Sequence, residues 1–343
     1  MDIDFRSEEL YDVSYDFSGD VYGPNLTIAS DASVFDASYF LFEEAVVENN
    51  LAEEDETAFH IDARQDMIFG NNPGYIKFGA KYRSKEKKVN ITNDVYSNDS
   101  SDTILADVLN PNSRYPFFRS PDNCLKADPG LTRQFFNSSQ SDFEFEDEDP
   151  QIDSAAADYR SDEDILALYG MAESTISDWT VTGGFRYEET DFTTTGNEVI
   201  FDEEGDLAGI DPLTASKDYD NLLAILVGRY LVNEDAILRL SWTNTIARPK
   251  FSQSAFRRER NIEDEEVICG NPNLDPYEAM NFDISYEQYL QGVGNVGVAV
   301  FLKEIDSFIL EEESTINIDG EDFDFVTPLN GDSTSISGIE FSW

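Results

Sequence analysis

Positive charge is scarce in this sequence. Of 343 residues, 23 are Lys or Arg and 71 are Asp or Glu, so the formal net charge is −48. Such a chain repels nucleic acid and anionic membrane surfaces. Histidine is nearly missing: His60 is the one example. That sets aside Ser-His-Asp triads and His-based metal centres. There are two cysteines, Cys124 in "SPDNCLKADPG" and Cys269 in "EEVICGNPNL". Their spacing carries no metal signature, and a disulfide and two free loop thiols are both open. No run of 18 apolar residues occurs, so no transmembrane helix is expected. A Gly-rich phosphate loop and a Gly-x-Ser-x-Gly elbow are also missing. Acidic pairs are so frequent that two neighbouring carboxylates carry no information. "NIDGEDFDF" (Asn317 to Phe325) and "DFEFEDEDP" (Asp142 to Pro150) offer carboxylates to calcium but lack EF-hand spacing. They read as solvated acidic loops. The expectation is no enzyme, no metal and no cofactor.

Apolar side chains, by contrast, are plentiful. They make up 40% of residues and aromatics 13%, with 25 Phe and 16 Tyr. Disordered acidic tails lack such aromatics. The acids are spread along the whole chain rather than focused. That favours a salt-rich habitat, where the Debye length falls to about 3 Å at 1 M salt, over loops that gather cations. The first residues, "MDIDFRSEELYDVSYDF", are acidic and alternating, unlike a signal peptide. They read as a strand, so the chain is expected to begin inside a domain.

Strict alternation is the dominant pattern. In "DAILRLSWTN", Ala236, Leu238, Leu240 and Trp242 oppose Arg239, Ser241 and Thr243. In "WTVTGGFRYEETDF", Trp179, Val181, Phe185 and Tyr187 oppose Thr180, Thr182, Arg186 and Glu188. In "GYIKFGAKYRSKE", Ile76, Phe78, Ala80 and Tyr82 oppose Lys77, Lys81 and Arg83. "TAFHIDARQDMIF", "NFDISYEQY" and "GNVGVAVFLKEI" repeat the theme. These are strands with one apolar and one polar face. Many are about 10 residues long, which suits a tilted membrane-crossing strand. The fold class expected is all-β: an antiparallel transmembrane barrel, present in part.

Connections are unequal. "VNED" (Val232 to Asp235) and "QGVGN" (Gln291 to Asn295) are short. Four segments read as long, acidic loops: about Gly19 to Glu56, Asn93 to Tyr159, Thr195 to Lys217, and Lys250 to Tyr277. Loops of this length are uncommon inside compact soluble domains. Short turns at one end and long loops at the other suit an outer-membrane barrel, with the turns periplasmic and the loops extracellular. No repeat of fixed period and no domain boundary is evident.

One ordered series of motifs carries more. "SWTNTIARPKFSQ" is followed by "GNPNLDPYEAMNFDISYEQYL" and then "GVAVFLKEIDSFI". This resembles the C-terminal half of the barrel of TonB-dependent outer-membrane receptors. The matching residues are Thr245, Arg248 and Pro249, then Gly270, Asn271, Pro272, Leu274 and Pro276. Asn281 and Asp283 come next, then Phe301, Lys303, Ile305, Phe308 and Ile309. "GGFRYEET", with Arg186, Tyr187 and Glu188, resembles the family's Gly-x-Arg-Tyr-Glu-x-Thr strand. "LNGDSTSISGIEFSW", with Asn330, Gly331, Gly338 and Glu340, resembles a later strand. The resemblance covers roughly Ala58 to Trp343.

The resemblance implies energised uptake of a scarce nutrient: an iron chelate such as a siderophore, a vitamin or an oligosaccharide. It implies a bacterial outer-membrane location, with outer-membrane lipid and a small-molecule ligand as partners. It also implies the TonB-ExbB-ExbD system as partner of the intact receptor. The expected domain is a partial barrel over residues 1–343, without the plug and without the segment that TonB grips, and with about 11–13 strands by the ~10-residue span rule. The family motifs read as architectural, and the ligand-binding residues are not identified. Arg186, Glu188, Arg239, Asp283, Glu287 and Lys303 are expected to line the lumen. Leu238, Leu240 and Trp242 are expected to face lipid, and Arg248-Pro249 to lead into a long outer loop. The alternative reading is a soluble, secreted, acidic all-β protein that binds a ligand or calcium, its apolar faces paired across a sandwich.

Overall fold

The computed structural model describes residues 2–6, 13–16, 25–28, 37–97, 104–109, 127–146, 148–201, 207–261, 266–290, 292, 294–318 and 321–343. All of "NPNSRYPFFRSPDNC", Cys124 included, lies outside these, as do Asp147 and residues 319–320 of the two acidic loops.

In chain order, β1 (Asp2–Arg6), β2 (Val13–Asp16) and β3 (Asn25–Ile28) precede two long strands, β4 (Leu41–Phe69) and β5 (Asn72–Ser97). Helix α1 (Pro129–Ser139), strand β6 (Glu144–Glu146) and helix α2 (Glu148–Ala157) follow. Next come β7 (Tyr159–Ile176), β8 (Trp179–Phe201), β9 (Leu207–Asn233) and β10 (Ala236–Ala247). A one-turn helix α3 (Phe251–Ser254) leads to β11 (Arg258–Asn261), β12 (Glu266–Cys269) and β13 (Tyr277–Leu290). The rest is β14 (Gly294–Asp306), β15 (Ile309–Ile318), β16 (Glu321–Asn330) and β17 (Ser333–Ser342).

The chain divides into two compact units. The first holds residues 1–50 and 91–154. Here β1 pairs antiparallel with the start of β4, Asp2 opposite Val46 and Arg6 opposite Leu41. The end of β5 pairs with β6, and β2 pairs with β3. The core is aromatic. Phe42 stacks on Phe143 at 4.6 Å, and Phe136 meets Tyr96 edge-on at 5.1 Å. Helix α1 starts where Asp128 accepts hydrogen bonds from the Gly130 and Leu131 amides at 2.9 and 3.0 Å. Pro129 at its first position needs no such partner.

The second unit holds residues 51–90 and 155–343. Its main sheet runs β4-β5-β7-β8-β9-β10-β13-β14-β17. The pairings from β5 onward are all antiparallel. Among the described residues no pairing joins β17 to β4. A smaller sheet, β11-β12-β16-β15, contains one parallel contact, β12 with β16.

Register sorts the alternating residues into continuous rows. Gly228, Leu240, Ile284, Val300 and Ile339 are cross-strand neighbours on one face. Leu226, Trp242, Phe282 and Leu302 form the next row. This face is open: Phe185 is 62% and Ile339 63% exposed. At its short-turn edge Trp179 stacks on Tyr230 at 4.8 Å. The apolar rows run for about ten residues, which at about 3.3 Å rise and about 40° tilt spans roughly 25 Å. Arg239 and Ser241 fall on the opposite face, as alternation requires.

Two close approaches pin the register. Gly79 lies opposite Tyr169, and a Cβ added there would sit 2.5 Å from the Ile61 carbonyl oxygen and 2.8 Å from the Tyr169 ring. Gly338 lies opposite Phe301, and a Cβ there would sit 2.6 Å from that ring.

Glu234-Asp235 of "VNED" joins β9 to β10 as read, and Gly70-Asn71 and Ser177-Asp178 are similar short connections; Gln291 and Val293 of "QGVGN" lie outside the described residues. The long-loop expectations need correction. Leu41 onward is strand, because the acids of β4 meet lysines of β5: Glu54 lies 2.7 Å from Lys85 and 3.5 Å from Lys87. Thr195 to Lys217 is mostly a paired extension of the β8–β9 hairpin, down to Phe201 opposite Leu207. Pro212 is tolerated there because β10 pairs with β9 only as far out as Ile225, leaving that edge free. Asn93 to Tyr159 contains two helices, and Lys250 to Tyr277 contains α3, β11 and β12. Strands number 17 among the described residues, above the expected count of about 11–13, because short pieces such as β11 and β12 form sheets of their own.

Candidate functional site: a charged cluster on the polar face

The polar face of β5, β7 and β8 gathers much of the scarce positive charge. The cross-strand row Lys81, Ala167, Glu188 lies between the row Gly79, Tyr169, Arg186 and the row Arg83, Ile165, Thr190. Ala167 is small, so the middle row leaves a gap. A cavity of about 70 Å³ opens over Ile165 and Ala167, lined by Lys81, Arg83, Arg186, Arg248 and Glu188.

Arg248 closes it. Pro249 ends the chain's strand run, since it donates no ladder hydrogen bond. Arg248, one residue past β10, donates from Nη2 to Glu188 Oε2 at 2.7 Å and to Thr190 Oγ1 at 2.9 Å. Its Nε stands 3.7 Å from Glu163 Oε2 and has no hydrogen-bond partner. Glu188 also accepts from Arg186 Nε at 2.5 Å, and Glu163 accepts from Arg83 Nη2 at 3.2 Å. Lys81 makes no ion pair with a described residue. Four cations thus share two carboxylates.

The segment after Pro249 folds back over the same face. Phe251 stacks on Phe192 at 6.3 Å, with Lys85 Nζ 5.1 Å from its ring centroid. The Phe256 amide donates to Thr194 Oγ1 at 3.2 Å, and Ala255 is fully buried. The long-loop expectation is corrected here too, because the aromatic and small residues of "FSQSAF" find partners on the strands.

The other motif residues act as joints. A Cβ at Gly270 would lie 2.0 Å from the Ala255 carbonyl oxygen, so only glycine fits beside that turn. The Asn271 amide donates to the Gln253 carbonyl at 2.7 Å, and its side chain donates to the Pro328 carbonyl at 3.0 Å. Pro272 lies between Asn271 and the buried Leu274, and Pro276 is buried too. Asn330 Nδ2 donates to the carbonyls of Asp275 at 3.0 Å and Ser307 at 2.8 Å, while its Oδ1 accepts from the Asp275 amide at 2.8 Å. The Gly331 amide donates to the Phe308 carbonyl at 2.7 Å. Asn281 Nδ2 donates to Thr245 Oγ1 at 3.2 Å, and Asp283 accepts from Ser241 Oγ at 3.1 Å. Arg239 pairs with Glu287 at 2.7 Å. Lys303 Nζ stands 5.9 Å from the centroid of Phe301. Glu340 lies opposite Ala299 on the polar face. Tyr187 points to the apolar face, beside Leu168 and Leu222.

Sequence reasoning picked out Arg186, Glu188 and Arg248 but not their meeting. It missed Glu163 as Arg248's second acid; the acidic run "SDED" hides it, and only its alternation with Ile165 and Ala167 marks its face. Cys269 carries a free thiol, and burial pushes its pKa up. Among the described residues no group of three or more His, Cys, Asp or Glu is placed to hold a metal ion.

The sequence matches the family described as "TonB dependent receptor-like, beta-barrel" over residues 3–343. No curated protein matches it. Among solved structures it is similar to the unliganded ferric citrate transporter FecA, with 13% identity and a TM-score of 0.45 over 86% of this chain and 32% of that one. The ferric-catecholate import receptor Fiu from E. coli K12 shows 12% identity and a TM-score of 0.46 over 90% and 37%. The hemophore receptor HasR of Serratia marcescens, in complex with hemophore HasA and heme, shows 11% and 0.44 over 87% and 46%. The chain therefore spans between about a third and a half of the length of these proteins.

Proposed function

Since the chain belongs to the TonB-dependent receptor family, as part of its β-barrel domain, we propose that it forms a stretch of the wall of an outer-membrane nutrient receptor. Its fold is the antiparallel transmembrane barrel, present in part, and the family is one of transport receptors rather than enzymes. In this reading residues 1–343 are one partial barrel domain. The apolar band faces lipid and the polar face, with Arg186, Glu188, Arg239, Asp283, Glu287 and Lys303, faces the lumen. The motif residues hold the wall and its outer loops together. The intact receptor takes up a small scarce nutrient, driven by TonB-ExbB-ExbD. Iron chelates are one candidate class, alongside vitamins and oligosaccharides.

The observation that carries the reading is the two-faced sheet. One face exposes continuous apolar rows about as tall as the hydrocarbon core. The other holds ion pairs such as Arg239–Glu287 and Arg248–Glu188. A soluble sandwich would bury residues such as Phe185 and Ile339, which are 62% and 63% exposed. The test is folding of the purified chain into detergent or lipid vesicles, read by the heat-dependent shift of its gel mobility. A lipid-dependent, heat-sensitive fast band is expected. A monomer that folds without detergent and shows no shift overturns the reading.

A further inference from the structure

We infer that the cavity over Ala167 is a subsite for one oxyanionic group, a carboxylate or phosphate, of a solute moving along the polar face. The inference rests on the wall reading and deepens it by naming a ligand class.

Charge is the first argument. Lys81, Arg83, Arg186 and Arg248 stand against Glu163 and Glu188, so the cluster carries 4 − 2 = +2 in a chain whose net charge is −48. Arg248, whose side chain is only 16% exposed, is paired with Glu188, so the surplus positive charge falls on the neighbouring Lys81, and a cation beside a partly desolvated cluster is stabilised by an anion that joins it.

Donor geometry is the second. Glu188 is already held by Arg186 and Arg248, and Glu163 by Arg83. Lys81 lies two strands from Glu188, about 10 Å at the usual strand spacing, with only the methyl of Ala167 between them. The buried Nε–H of Arg248 has no hydrogen-bond acceptor, and both Arg248 and Lys81 line the same cavity. Guanidinium and ammonium groups lining one gap are what carboxylate and phosphate recognition uses.

Size is the third. About 70 Å³ is several times the roughly 10–15 Å³ that one water needs by the same measure. It admits one anionic group, not a whole nutrient, and the rest of the solute extends into the lumen.

The test uses the full chain folded in detergent, titrated with malonate and with inorganic phosphate by calorimetry. Saturable binding is expected, weaker by tenfold or more in Lys81→Met and weakened as NaCl rises from low to high concentration. Lys81→Met breaks no ion pair, so folding survives, and the heat-shifted gel band checks that. Arg239→Gln, elsewhere on the polar face, should bind as the parent does. A chain that folds into detergent yet binds neither anion overturns the subsite and leaves the wall reading standing. Equal losses in Lys81→Met and Arg239→Gln indicate diffuse attraction and overturn it as well. Displacement of phosphate by a blocked Glu tripeptide more strongly than by malonate overturns the assignment to a solute. A chain that does not enter detergent or lipid overturns both readings.

Discussion

Arg248 Nη2 donates to Glu188 Oε2 at 2.7 Å, across 60 residues of sequence. The contact joins the mouth of β10 to the middle of β8, with β9 between them in the sheet. It therefore ties the segment that follows Pro249 to a strand it is not paired with. A side-chain bond of this kind fixes where the strand run ends and the segment after Pro249 begins.

Removing the arginine leaves two acids short of a partner. Glu188 and Glu163 side chains are 9% and 11% exposed. Breaking such a pair from one side costs about 2–4 kcal/mol once partial exposure is allowed for. Arg248→Gln should lower urea stability in detergent by that amount. A double-mutant cycle with Glu188→Gln should show coupling of about 1–3 kcal/mol. Additive losses would mean the contact does not matter to folding.

Neighbours in sequence should differ sharply in tolerance. Leu240 sits in the middle apolar row and Ser241 on the opposite face. Leu240→Arg should destabilise the vesicle-folded chain by about 2–4 kcal/mol. Ser241→Arg should stay within about 1 kcal/mol, since Asp283 waits beside it. Reversible denaturant titration in lipid vesicles measures both. Equal costs would place the two residues in the same surroundings.

Close packing predicts a contrast between two glycines. At Gly79 an added Cβ meets the Ile61 carbonyl at 2.5 Å, and at Gly209 it meets nothing within 4 Å. Gly79→Ala should cost about 1–3 kcal/mol, and Gly209→Ala should be neutral or slightly stabilising. Thermal unfolding of the two variants in the same detergent decides it.

The Cys269 thiol is half-buried, and burial raises its pKa. Less of it is thiolate at pH 8 than of an ordinary cysteine, whose pKa is about 8.5. In a Cys124→Ser background, maleimide labelling of the folded chain should therefore run several-fold slower than of the urea-unfolded chain. The gap should narrow as pH rises through the raised pKa. Equal rates at pH 8 would show the thiol to be open and unshifted.

Alternation made the apolar band legible. Leu238, Leu240 and Trp242 were assigned to one face from spacing alone, and register puts them there. A short turn was legible as well, because "VNED" interrupts clean alternation. The outer extensions were not. "EEAVVENNLAEEDE" looks like a solvated loop until Lys85 and Lys87 are set beside Glu54. That pairing is a property of two strands, not of either. The charged cluster failed to show for the same reason. Lys81, Ala167 and Glu188 are neighbours only across three strands, while Glu163 is one acid in a run of several. Asn271 and Asn330 were noted as motif letters. Their hydrogen bonds to Pro328, Asp275 and Ser307 require loops whose meeting no local pattern encodes.

The glycines under aromatic rings have a consequence for assembly. Every strand here offers many donors and acceptors, and a hairpin can zip in more than one frame. A slip of one residue would turn the whole strand over, and a slip of two would keep its faces while misplacing every pair. Gly79 opposite Tyr169 and Gly338 opposite Phe301 distinguish the frames, because a ring finds room only where its neighbour has no side chain. They work as index marks on two separate seams, so that a misplaced frame at either joint is penalised by its own misfit.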